Sequence, residues 1–335
     1  MELYDYTIYG LRNFYRTYKS SKYQQELYYY LLYITISLTV LLPNLLLVVV
    51  LLRKIKKGDT RPLDKLLLNI CISSSLWGIF GHLVFAHLYY FRWNIGVAFC
   101  KVYYTVLVGF DIAFQFHMFA ISIDRVLQAT NPYRYLQRVN NFGSSLLLYI
   151  PWLGTVITVM PIYFLGFYNN SSQIYYECDF TLNQETNLGF QWLTFVLSLM
   201  TTTSTTIVIV CLLQSRGLMS YRLLTNADRQ LIRSSLIAGI ITNCIFASTV
   251  FILKCFHLHL MRTSVENKSN LLWAIIEIFS YLSLCSAGII PTFWFIDRDI
   301  RNAITKQINE MVLKITRGSE KSETQKTIPI DFSDN

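Results

Sequence analysis

Charge is scarce in this chain. Lys, Arg, Asp and Glu make up 15% of its 335 residues, against 53% hydrophobic residues and a mean hydropathy of +0.38. Soluble domains carry about 25% charged residues, so the composition excludes a water-soluble fold. Metal-ligand spacing is absent among the seven cysteines. Five of them (Cys71, Cys211, Cys244, Cys255, Cys285) fall in or at the ends of apolar stretches and read as buried or lipid-facing thiols. No nucleophile–base pair, phosphate loop or metal cluster is visible, so the expectation is a non-enzyme without a cofactor. Internal repeats are missing, which speaks against an inverted-repeat transporter. Intramembrane acids are too few and too scattered for a proton pump or an intramembrane protease. Residues 1–28 are polar and tyrosine-rich with no short apolar core near Met1. A cleavable signal peptide is therefore not expected, and the first apolar helix would act as an uncleaved anchor.

What the chain has is seven long apolar runs, at 29–52, 65–89, 98–123, 144–167, 189–214, 231–256 and 270–296. Each meets or exceeds the ~20 residues a helix needs to cross a bilayer. The net charge of +9 suggests nucleic acid at first sight. The basic residues lie between the apolar runs, however, which fits loops beside anionic lipid and no nucleic-acid partner. Thirteen Lys and Arg fall in or beside the first, third and fifth linkers and three in the even ones, so the odd loops are expected inside the cell and the N-terminus outside. Arg12, Arg16, Lys19 and Lys22 run against this, but the loop excess is larger. Glycosylation sequons at Asn169, Asn170 and Asn267 all fall in loops assigned outside. The expected organisation is an extracellular tail over 1–28, a seven-helix domain over 29–297, an amphipathic helix along the inner surface over 298–315, and a disordered cytoplasmic tail over 316–335. That tail offers Ser319, Ser322, Thr324 and Thr327 as phosphorylation sites.

The third run carries the most specific signal. Cys100 and Arg125 are 25 residues apart, roughly 37 Å along an α-helix. One tilted helix thus puts the cysteine in one aqueous compartment and Asp124-Arg125 at the opposite interface of a ~30 Å core. Around it stand Trp93, Gly96, Cys100 and Lys101 before the helix, Ser122-Ile123-Asp124-Arg125-Val126 at its end, and Asn131-Pro132 with Tyr135 beyond. In this order and spacing the set resembles the rhodopsin-like G-protein-coupled receptors over about residues 29–310. The fold class implied is an all-α membrane protein, a seven-helix bundle with a short amphipathic helix after the seventh span. Departures in the later helices resemble nematode serpentine chemoreceptors.

The resemblance implies a receptor at the plasma membrane that binds an extracellular ligand within the bundle and activates a heterotrimeric G protein. A chemosensory small molecule is favoured. The runner-up is a basic peptide, suited to Glu177, Asp179 and Glu185 in the outer loop, and a transporter or channel stands third. Arg125 would be held by Asp124 at rest and released to the G protein on activation, with Asp228 as a second candidate restraint. Cys100 and Cys178 are the two cysteines placed outside, where oxidising conditions lead to a disulfide. Asn44 and Trp152 match structural positions of the family. Ser74 stands where the family has a buried aspartate, and of the seventh-helix motif only Pro291 is kept, with Trp294 at the tyrosine position. A sodium pocket is therefore not expected. The fifth-helix proline and the sixth-helix tryptophan-proline hinge are missing.

Four residues are pocket candidates. Leu107 occupies the position where amine receptors place their cation-binding aspartate. Asp111 lies 11 residues below Cys100, roughly 16 Å down the helix, and reads equally as an internal hydrogen-bonding carboxyl or a ligand counter-ion. Glu277 lies in the outer half of the seventh run. Lys254 either pairs with Glu277 or snorkels to the interface. His82, His87 and His117 read as packing or interface residues, and the Thr201 to Thr206 run as helix–helix contacts with some members facing a cavity.

Overall fold

The computed structural model describes residues 22–58, 61–84, 97–137, 142–165, 167–169, 180–182, 184–214, 224–256 and 270–326. Seven long helices lie in the expected order. They are α1 (Lys22–Lys56), α2 (Pro62–Trp77), α3 (Val97–Thr130), α4 (Phe142–Leu165), α5 (Gln184–Gln214), α6 (Asn226–Phe246) and α7 (Asn270–Phe293). Five of the described helices are long and apolar enough to cross a membrane, and shorter apolar stretches, Leu148–Phe164 and Cys285–Ile296, fall in the fourth and seventh. A short hairpin pairs β1 (Phe167–Asn169) antiparallel to β2 (Phe180–Leu182) in the loop after α4.

α3 is the axis of the bundle, touching α2, α4, α5 and α6. Its buried face supplies Phe114, Met118, Ala120 and Ile121 to the main core, where the Trp77 and Phe246 rings lie tilted against Phe114, centroids 6.0 and 6.1 Å away. The outward faces invert the rule of soluble proteins. Leu42, Leu153, Ile157, Phe164 and Leu213 are all more than half exposed. An apolar surface of that extent is tolerated where lipid, not water, is the solvent.

Helices α1 and α7 approach closely because Gly288 has no side chain. A Cβ there would lie 2.6 Å from the Thr39 carbonyl oxygen and 2.8 Å from the Val40 Cα. At the same contact Asn44 Nδ2 donates to Ala287 O at 3.1 Å as well as to Val40 O at 2.7 Å. α2 opens into a wide π-turn over Gly78–Val84. Two carbonyls there are met from outside, Gly78 O by the Ser37 hydroxyl and Phe80 O by the Tyr103 hydroxyl, at 2.9 Å each. A second π-turn, Ala247–Phe251, interrupts the sixth span, which then continues helical to Phe256. π-Turns can bend a helix without proline, and the sixth span carries one although it lacks the proline hinge.

After Trp294–Ile296, α8 runs from Arg298 to Lys326. It passes well beyond the 298–315 expected and into the stretch read as disordered. Glu320, Lys321, Glu323, Gln325 and Lys326 are good helix formers, set against Gly318 at about 1 kcal/mol and the weaker Ser319, Ser322 and Thr324. Gly288→Val should lower stability by about 1–3 kcal/mol through overpacking. Gly189→Ala, where an added Cβ meets nothing within 4 Å, should be neutral or stabilising by under about 1 kcal/mol. Thermal unfolding of the two variants in detergent checks both.

Candidate functional site

Asp124 and Arg125 lie at the inner end of α3, each 1% exposed. A guanidinium keeps its charge under all conditions, so its donors call for local acceptors; Nη1 and Nη2 find them and Nε does not. Nη2 is paired with Asp124 and donates to Tyr135 Oη at 3.3 Å, while Nη1 donates to Gln128 Oε1 at 2.5 Å and to Ser235 Oγ on α6. Tyr135, in the short helix Pro132–Gln137, donates in turn to Asp124 at 3.1 Å. Burial pushes the Tyr135 hydroxyl well above its ordinary pKa and the Asp124 carboxylate adds to this, so it remains a proton donor. On the remaining side the Arg125 Cζ lies 5.9 Å from the Trp294 ring, and its methylenes press on Gly239 of α6. A Cβ on Gly239 would sit 2.9 Å from Arg125 Cγ.

The charge network continues across the cytoplasmic end. Ser235 also bonds Asp297, whose carboxylate caps α8 by accepting from the backbone N–H groups of Asp299 (2.9 Å) and Ile300 (3.3 Å). Arg61, before α2, contacts Asp64 at 3.2 Å, Asp297 at 3.3 Å and Asp299 at 3.0 Å. Lys54 of α1 bridges Asp64, at 2.6 Å, and Asp299. Burial disfavours the Arg61 charge, but Asp64, Asp297 and Asp299 together raise its pKa. Burial also opposes the Asp297 charge, but the Arg61 guanidinium with its hydrogen bond holds that carboxyl below the usual range. Five side chains thus tie α1, α2 and α8 together, with Ser235 joining them to Arg125.

In the outer half, Asp111 Oδ2 accepts from Lys254 Nζ at 3.4 Å, and its Oδ1 accepts from Gln115 Nε2 at 3.3 Å. Gln115 is joined to α5 by the Ser198 hydroxyl at 3.4 Å. Lys254 does not snorkel. It is 4% exposed, with Nζ 5.3 Å from the Phe190 ring centre. The reason is charge: Asp111 is an acid at depth on the helix opposite, and lipid offers no other counter-ion. Leu107 is buried one turn further out.

The family 7 transmembrane receptor (rhodopsin family) matches residues 43–289, about three-quarters of the length, across the helices that carry both sites. The chain belongs to that family. It is a multi-pass membrane protein. Trace amine-associated receptor 1 of Macaca mulatta, of Pan troglodytes and of Homo sapiens are each 28% identical to it over 86 residues, 25% of this chain and 25% of theirs. The matched stretch thus spans a quarter of the length of these relatives.

The receptor structure brings Asp124, Arg125 and Trp294 together, and Asp111 with Lys254. Pro291 lies inside α7 one turn before Trp294. Asp228 is not a restraint on Arg125. It caps α6 with Thr225, accepting from that hydroxyl at 2.6 Å. Ser74 is fully buried, its hydroxyl without a hydrogen-bond partner, and Trp152 packs edge-on against His117 at 5.0 Å. The Cys100, Asn169 and Glu277 side chains lie outside the described residues, as do Trp93, Asn170, Cys178 and Asn267. Gln128, Ser235, Gly239 and Asp297 escaped the sequence reading. The signals were faint: a serine pair inside the sixth run, and an acid placed as a helix cap after Trp294.

Removing one partner of a buried, paired charge costs about 3–5 kcal/mol. Asp297→Ala should therefore destabilise far more than Asp299→Ala, whose side chain is 26% exposed. Because the folded-state pKa of Asp297 is depressed, its contribution is complete above the unfolded value of about 3.9 and fades as pH falls through the folded one. The gap between wild type and Asp297→Ala, measured by thermal unfolding, should be flat from pH 5 to 8.

Proposed function

We propose that this receptor binds an extracellular small molecule between its helices and promotes nucleotide exchange on a heterotrimeric G protein at the plasma membrane. The observation that carries the reading is Arg125, a buried cation at the inner end of the central helix, tied to Asp124 and Tyr135 on one side and to Ser235 of α6 on the other. Such a contact is bistable. If α6 moves away, the Ser235 bond breaks and the guanidinium becomes available to a partner in the cytosol. Binding drives this only to the extent that the ligand prefers the open state. The N-terminus is outside and the C-terminus inside, following the Lys and Arg asymmetry of the loops. A Cys100–Cys178 disulfide pins the outer loop over the bundle, and Asn169, Asn170 and Asn267 are glycan acceptors on that side.

The trace amine relatives raise an amine as ligand. Leu107 cannot pair with an ammonium, and Asp111 already has Lys254, so a chemosensory molecule that is not a simple amine is the favoured class. A basic peptide is the second reading, resting on Glu177, Asp179 and Glu185 in the outer loop.

Guanine-nucleotide exchange in membranes holding the receptor fused to a G-protein α subunit tests this, with volatile small molecules and basic peptides as the panel. Exchange should rise with at least one panel member and fall at least tenfold in Arg125→Ala. Silence of wild type and variant alike, at equal surface expression, would sink the signalling role. Ser235→Ala removes one hydrogen bond between α3 and α6, of about 1 kcal/mol. It should raise ligand-free exchange about fivefold, the shift that such a change in equilibrium produces.

A further inference from the structure

Asn187, Gln191, Thr194, Ser198, Thr201 and Thr205 of α5 recur at alternating four- and three-residue steps, and each is at most 6% exposed. They form one polar seam on a helix whose other faces meet lipid. The Thr201 to Thr206 run divides accordingly, with Thr201 and Thr205 in the seam and Thr203, Ser204 and Thr206 exposed or bonded to their own helix. Ser198 meets Gln115 of α3, which sets the register of the two helices. Both run from the outer side inward, so Asp111 is level with Thr194. Gln191 and Asn187 follow about 5 and 10 Å further out at 1.5 Å per residue.

In the inner part of the seam the hydroxyls are occupied. Those of Thr194, Ser198, Thr201 and Thr205 donate to carbonyls of their own helix. At the outer end the pattern changes. Asn187 Oδ1 and Gln191 Oε1 are buried acceptors without a hydrogen-bond partner. Lone acceptors buried in this way are rare and call for a donor. About one turn inward of Gln191 by this register, the Lys254–Asp111 contact, at 3.4 Å, is longer than the roughly 2.7–2.9 Å of a well-formed charged hydrogen bond. The Asp111 side chain also keeps 24% of its surface open.

We propose that the ligand of this site is a small zwitterion of the amino-acid type, with its ammonium on Asp111, its carboxylate on Lys254, and a further N–H or O–H donor reaching Gln191. The inference rests on the receptor reading above and names its ligand class. Charge balance carries it. Among the described residues, a lone cation drawn to Asp111 leaves Lys254, 4% exposed, without a counter-ion, and a lone anion on Lys254 does the same to Asp111. Either is penalised heavily in a site removed from water. A zwitterion replaces each partner in turn and leaves no charge unpaired. It inserts between α3 and the sixth span, three residues beyond the π-turn. Fifteen residues inward on that span, about 22 Å away, Gly239 rests on Arg125.

The test uses the full-length receptor in detergent and reads ligand-induced shifts of the thermal midpoint. The probes are the twenty amino acids, each with its decarboxylated amine and deaminated acid. Tyrosine, tyramine and 3-(4-hydroxyphenyl)propionate lead, since the phenol supplies the extra donor and the ring a face for Phe190. At least one amino acid should bind wild type ten or more times tighter than its matched amine or acid. Preference should pass to the amine in Lys254→Gln and to the acid in Asp111→Asn. If a single neutralisation prevents folding, the exchanged pair Asp111→Lys with Lys254→Asp keeps the balance and should still favour the amino acid. Binding of an amine or acid to wild type as tightly as the amino acid, or no shift from any amino acid, overturns the proposal. Exchange driven by a singly charged probe and lost in Arg125→Ala would overturn it while leaving the receptor reading intact. Amino-acid binding without exchange would do the reverse.

Discussion

Inside a bilayer, a polar group that finds no partner within the protein finds none at all, and this constraint arranges the whole molecule. It explains why Arg125 gathers Asp124, Tyr135, Gln128 and Ser235 about itself, and why Lys254 turns inward to Asp111 instead of reaching for the headgroups. It also explains the carbonyls of the Gly78–Val84 turn, which are met by Ser37 and Tyr103 from neighbouring helices. Apolar packing alone gives little direction here, since lipid tails are as apolar as leucine. The polar contacts therefore fix which helix faces which.

Two of these contacts lie on the same pair of elements. α3 bears Asp111 and, about 21 Å inward along its axis, Arg125. The sixth span bears Lys254 and, near its inner end, Ser235 and Gly239. A change in the outer pair and a change in the inner one are both displacements of the sixth span against α3. The π-turn over Ala247–Phe251 lies between them, where a helix bends most readily. Coupling of this kind requires a rigid helix and two contacts that cannot both be kept once it moves. It does not require a chain of intermediate side chains.

The cytoplasmic lattice of Lys54, Arg61, Asp64, Asp297 and Asp299 has a different part. It joins the ends of α1 and α2 to the start of α8 and leaves the sixth span attached through Ser235, Ser234 and Gln230, the last two accepting from the Arg298 N–H and guanidinium. The α1, α2 and α8 side is held by several ion pairs and the sixth span by a few hydrogen bonds. That asymmetry suits a bundle in which one helix swings against a stationary group.

The sequence by itself determined the number of spans, their order, the family and the Asp124-Arg125 pair. Runs of ~20 apolar residues and short motifs at fixed spacing are local properties, and the bilayer reads them locally. The same holds for Asn44, whose amide in an apolar run required a partner in the bundle. Tertiary structure alone decided which partner each polar group took. The sequence offered Lys254 only Glu277 or the interface, and offered Arg125 Asp228 as a second restraint; Asp111 and Ser235 came forward once helix rotation and register were fixed. A period of 3.6 residues leaves a helix's azimuth open when most of its faces are apolar, as in α5, so the polar seam from Asn187 to Thr205 was visible only against α3. The π-turns were equally hidden. They depend on neighbours that meet the carbonyls they free, and those neighbours lie far off in the chain.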